Sequence, residues 1–78
     1  MNQQEALKWI ANVFEMPIEN IKAETKRDEI PAWDSLGVLT LMAGFDEKFG
    51  FLLTEEEVSG LTAVEDILKI LNERGCIN

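Results

Sequence analysis

Seventy-eight residues with 46% hydrophobic content suffice for one domain with a small core and argue against disorder. Fifteen acids against seven bases and no histidine give a net charge of −8, which disfavours nucleic acid and anionic membrane surfaces as partners. No stretch approaches the roughly 20 apolar residues of a membrane span, and the single cysteine, Cys76, excludes an intrachain disulfide.

The opening Met1-Asn2-Gln3-Gln4-Glu5 lacks the basic and apolar regions of a secretory signal. With the lone cysteine, this makes a reducing cytoplasm the plain expectation. Leu7, Ile10 and Phe14, flanked by Ala6 and Val13, recur at helical spacing and predict a first helix over residues 3–15. Trp9 lies at the edge of its apolar face. Pro17 stops this helix, because the residue before a proline is pushed away from helical angles. A long connection follows, with Ile18 and Ile21 expected to point inward and residues 24–29 expected in solvent.

Ile30-Pro31-Ala32-Trp33 leads into Asp34, which reads as the cap of a second helix running to about Phe49. At 100° per residue, Val38, Leu41, Met42, Phe45 and Phe49 share an arc of about 100°, the usual width of a buried stripe. Leu36, Thr40, Ala43 and Glu47 fall opposite, with Leu39 and Asp46 at the border. Leu36 is then a docking residue with a charged rim, an ordinary exposed leucine, or a contact of the preceding loop. Gly44 costs this helix about 1 kcal/mol relative to alanine. Either another segment approaches closely there, or the helix tolerates it.

Thr54-x-x-Glu57 and Thr62-x-x-Glu65 both fit the capping box, in which a threonine and a glutamate satisfy each other's helix-end amides. The first opens a short third helix to about Ser59, broken at Gly60, where Ser59 serves a turn. The second opens a last helix with Val64, Ile67, Leu68 and Leu71 on one face, stopped near Gly75. No segment alternates as a strand does. The expected fold is all-α, a bundle of three main helices and one short one.

Charge is uneven along the chain. Residues 1–30 carry six acids and four bases, and residues 31–78 carry nine acids and three bases. Acidity of this kind either speeds encounter with basic protein partners or simply keeps a small protein in solution. Without histidine, neither Ser35 nor Cys76 has the usual base to activate it as a nucleophile. Glu55-Glu56-Glu57 does not follow the spacing of a calcium loop. Three acids in a first helical turn suit the helix dipole, with a divalent cation as the competing reading. Intrinsic catalysis is not expected. Ser35, exposed at a helix start, is better placed to be modified by another enzyme.

Asp34-Ser35-Leu36, the helix ending Phe45-Asp46-Glu47-Lys48-Phe49-Gly50, and Leu61-Thr62-Ala63-Val64-Glu65-Asp66-Ile67 resemble the acyl carrier proteins. The resemblance runs from Trp33 to Leu71; over the first helix, length and pattern agree without a motif. It implies an acyl-carrier-like four-helix bundle, one carrier domain over residues 1–78, and a monomer. Ser35 would receive a phosphopantetheine arm from coenzyme A through a separate phosphopantetheinyl transferase. Asp34, by the same resemblance, helps that enzyme recognise the loop; as a plain cap it is worth about 1 kcal/mol.

The arm's thiol would hold acyl or aminoacyl cargo as a thioester for loading and acyl-transferring enzymes. Those partners would grip Leu36, Ala43, Asp46 and Glu47 on the second helix and Glu55, Glu56 and Glu57 on the third. Val38, Leu39, Met42, Leu61 and Ile67 would either line a cavity for a long acyl chain or fill an ordinary core. Gly37 and Thr40 stand where fatty-acid carriers usually have acids, Lys48 interrupts a commonly acidic run, and Phe51-Leu52-Leu53 is unusually apolar. With Trp33 before Asp34, these departures imply a dedicated pathway rather than housekeeping lipid synthesis. The alternative is an acidic helical adaptor that is never modified.

Overall fold

A computed structural model describes residues 1–77. Four α-helices follow one another along the chain: α1 (Gln3–Val13), α2 (Ser35–Phe49), α3 (Glu55–Ser59) and α4 (Val64–Glu73). The connection between α1 and α2 contains two 3-10 turns, Ile18–Asn20 and Arg27–Glu29. Among the described residues there is no β-strand; an isolated antiparallel bridge joins Lys26 to Ala63. No helix is long and apolar enough to cross a membrane. The radius of gyration is 11.2 Å, close to the roughly 11.5 Å of a folded chain of this length.

Helix ends follow local chemistry. Asn2 caps α1 in a reciprocal box with Glu5: Asn2 Oδ1 accepts from the Glu5 amide at 2.8 Å, and Glu5 Oε1 accepts from the Asn2 amide at 3.0 Å. The helix closes earlier than its apolar spacing predicts, at Val13, and Glu15 turns the chain with φ 54°. Pro17 thus follows a reversal already made. Gly50 ends α2 with φ 78°, a left-handed conformation that glycine adopts without strain. Gly75, with φ 73°, does the same after α4.

Thr54 and Glu57 form the predicted box at the start of α3, with mutual bonds of 2.9 and 3.1 Å. The box predicted for α4 is different. Asp66, not Glu65, reaches back, and its Oδ2 accepts from the Thr62 amide and hydroxyl at 2.8 Å and from the Ala63 amide at 3.1 Å. The next two amides, of Val64 and Glu65, donate to the carbonyls of Thr25 and Ala23, each at 2.8 Å. The connection therefore stitches its backbone to the head of α4, which leaves Glu65 facing solvent.

Ile10, Phe14, Leu41, Phe45, Ile67 and Leu71 are enclosed at the centre, where α1, α2 and α4 meet. Ile21 and Ile30 close the core from the connection. Ile18 was expected inward beside Ile21 but is 37% exposed. The 3-10 turn Ile18–Asn20 lies wholly on the surface, and the chain enters the core just after it, at Ile21, where the backbone becomes extended. Trp9 packs edge-on against Phe45 and Phe49, with centroids 5.2 and 5.1 Å away. Its ring also crosses Gly44: a Cβ there would sit 3.1 Å from Trp9 Cζ2. Close approach of α1 accounts for this glycine.

Candidate functional site

The site begins with a cap. Asp34 is extended (φ −115°, ψ −165°), and its Oδ1 accepts from the Gly37 amide at 2.9 Å. Its carbonyl takes the Val38 amide at 2.9 Å. Ser35 is consequently the first residue of α2 and is exposed. Among the described residues, its hydroxyl and the amides of Ser35 and Leu36 have no hydrogen-bond partner. An exposed hydroxyl beside two unpaired helix-end amides suits a covalently held anion at this position.

The loop before Asp34 is fixed by two contacts. Trp33 is buried and stacks on Phe14, with ring centroids 5.0 Å apart and planes 22° from parallel. The Ala32 carbonyl lies so close to Gly37 that a Cβ on residue 37 would overlap it. Only glycine fits, because backbone occupies the side-chain position. Gly37 is thus a structural requirement of the Ser35 loop as well as a departure from an acidic pattern. Arg27 completes the loop: its Nε donates to the Trp33 carbonyl at 3.3 Å, and its Cζ lies 6.0 Å from the centre of the indole.

Leu36 and Leu39 are 72% and 61% exposed. Ala43, Asp46 and Glu47 continue the same solvent side of α2. Thr40, between them, turns its hydroxyl back onto the Leu36 carbonyl at 3.1 Å. The surface is therefore two leucines and an alanine bordered by carboxylates. Glu55 and Glu56 are exposed on α3. Glu57 is already engaged: besides capping Thr54, both its oxygens accept from Arg74 Nη2 at 3.1 Å. Its pKa is held low by the Thr54 amide first; burial opposes that shift, and Arg74 and the Thr54 hydroxyl add to it. Among the described residues, no three acidic or cysteine side chains gather as metal ligands.

The five candidate cavity residues differ in burial. Leu61 and Ile67 lie in the core, Val38 and Met42 are half-buried, and Leu39 faces solvent. A groove of about 650 Å³ runs between the second 3-10 turn and the junction of α3 and α4. Lys26, Arg27, Trp33, Ser59, Leu61 and Thr62 are among its walls. A smaller depression, about 300 Å³, lies across the Ser35 loop beside Phe14, Ala32, Leu36 and Thr40. The groove was not foreseen, since it depends on the backbone seam between residues 23–27 and 62–65. The apolar Trp33 beside Asp34 was its sole trace in the sequence.

No model of a known protein family matches the sequence.

Proposed function

We propose that this chain is a carrier domain, with an acyl-carrier-like arrangement of its four helices, that holds thioester intermediates on a phosphopantetheine arm attached to Ser35. The observation that carries the reading is the exposed, unpartnered Ser35 hydroxyl at the first position of α2, capped by Asp34 and followed by the exposed Leu36. A transferase would bring coenzyme A to this hydroxyl. The bond from Ser35 Oγ to the pantetheine-side phosphorus forms as the bond from that phosphorus to the bridging oxygen of coenzyme A's diphosphate breaks; adenosine 3′,5′-bisphosphate leaves, and the serine proton passes to the transferase.

The residues present fit the product. The phosphodiester would lie beside the unpaired amides of Ser35 and Leu36, at the positive end of a 15-residue helix. When attached, the arm supplies a terminal thiol for thioester formation with acyl or aminoacyl groups. This chain supplies the anchor and the grip. Leu36, Leu39 and Ala43 offer apolar contact, and Asp46, Glu47, Glu55 and Glu56 steer basic partners through long-range attraction. Such contacts suit a protein that visits several enzymes and leaves each one.

Co-expression with a broad-specificity phosphopantetheinyl transferase should add the mass of one phosphopantetheine, and Ser35→Ala should abolish the gain while the chain stays folded. A folded wild-type chain that gains no mass overturns the proposal. The exposed leucines also suit an unmodified adaptor. Partner binding that survives Ser35→Ala but not Leu36→Glu, with no modification of the wild type, would favour that second reading.

A further inference from the structure

We infer that the groove between the Arg27–Glu29 turn and the α3–α4 junction receives the end group of the cargo, and that this end group is an anion, a short unit ending in a carboxylate. The inference rests on the carrier reading and names its cargo class. Buried Ile30, Trp33 and Leu61 form the base of the groove, while Lys26, Arg27 and Asp28 stand at its rim. The rim is net positive by one charge in a chain whose total is −8. An anion carried on Ser35 meets carboxylates along α2 and α3 and finds cations here.

The cations are available. Among the described residues, the single ion pair joins Arg74 to Glu57, and neither Lys26 nor Arg27 is paired with a carboxylate. Arg27 is also held in place: its Nε is bonded to the Trp33 carbonyl and its guanidinium lies over the indole. That leaves the two Nη groups, the fork that pairs with a carboxylate, without a partner. Ser59 lines the same groove, whereas the Thr62 hydroxyl beside it already donates to Asp66. A long alkyl chain would cover the apolar base but would also desolvate the rim cations without pairing them, a cost that a carboxylate end avoids.

The groove is within reach of the arm. Trp33 and Ser35 are two residues apart, at most about 7 Å between their Cα atoms. The buried Trp33 indole Nε1 has no hydrogen-bond partner. Trp33 lines the groove, and this N–H reports on any movement of its ring.

The test compares two thioesters of equal length. A broad-specificity transferase loads Ser35 from succinyl- and from butyryl-coenzyme A, and intact mass confirms each product. The chain has two tryptophans, so Trp9→Phe assigns the Trp33 indole N–H signal. The succinyl form should displace the Trp33 indole and Arg27 Nε–H resonances relative to the butyryl form. Lys26→Gln should shrink that difference and Arg27→Gln should remove it, with the amide spectrum otherwise preserved. Equal shifts for both cargoes, or none for either, overturn the inference while leaving the carrier reading intact. If Arg27→Gln disturbs the fold, an unchanged difference in Lys26→Gln overturns it as well. A folded chain that gains no mass at Ser35 ends both.

Discussion

The carbonyl oxygen of Ala32 occupies the space beside Gly37 that a side-chain carbon would need. In an ordinary helix interior, glycine to alanine gains about 1 kcal/mol. Here the added methyl must push away either α2 or the loop carrying Trp33 and Asp34. Gly37→Ala should therefore destabilise the fold by about 1–3 kcal/mol, read from the shift in urea midpoint. It should also slow transferase modification of Ser35, since the cap is displaced with the loop. A stabilised variant would show that the loop yields freely.

Gly44 gives the contrasting case. A Cβ there meets the flexible edge of a side chain, Trp9 Cζ2 at 3.1 Å, rather than backbone. The propensity gain and the displacement of the indole should nearly cancel in Gly44→Ala. In a Trp9→Phe background the same change should stabilise by up to about 1 kcal/mol. A double-mutant cycle by denaturant unfolding measures the coupling between the two sites.

Asp66 predicts the acid limb of the stability curve. Burial works to raise its pKa, but the amide and hydroxyl of Thr62, the Ala63 amide and the charge of Lys69 together outweigh it, and the net shift is downward. A carboxyl group whose pKa is lowered by folding stabilises the fold fully above the ordinary carboxylate range. That contribution is lost as pH falls through the folded value. Melting temperature should accordingly drop below roughly pH 5, with Glu57, also lowered, adding to the fall. Asp66→Asn, which keeps an acceptor but removes its charge, should cost about 1 kcal/mol at neutral pH and flatten the acid limb in thermal melts against pH.

Leu36 and Leu39 separate docking from folding. Both are mostly exposed, so Leu36→Glu and Leu39→Glu should each change stability by no more than about 0.5 kcal/mol. If α2 is the docking surface, the Leu36 change should slow modification by a partner transferase about 30-fold, the effect of losing roughly 2 kcal/mol at a central contact. Equal rates for wild type and both variants would move the docking surface elsewhere.

Features carried by neighbouring residues were legible in the sequence. The Asp34 cap, the start and end of α2, the Thr54–Glu57 box and the stop at Gly75 each need only a few consecutive positions. What depended on distant backbone was not legible. The Thr62–Glu65 box fits the spacing rule, yet the Glu65 amide lies against Ala23 and Asp66 takes the capping role. Ile18 has the hydrophobicity of a core residue, but the 3-10 turn carrying it faces solvent.

The site divides the same way. Ser35, Leu36 and the acids of α2 were readable from helical period. The steric need for Gly37 was not, because its contact is with the Ala32 carbonyl of the preceding loop. The grouping of Lys26 and Arg27 with Ser59 and Thr62 was hidden too, since it joins segments about thirty positions apart.

The seam where Thr25 and Ala23 receive the first amides of α4 is made of peptide groups alone. A proline at position 64 or 65 would remove one of its two donors and open it. Of its four residues Val64 is fully buried, Ala23 packs against the core and Thr25 Oγ1 accepts from the Lys22 amide, so the exposed Glu65 is the position that can carry a spectroscopic label without loosening the bundle.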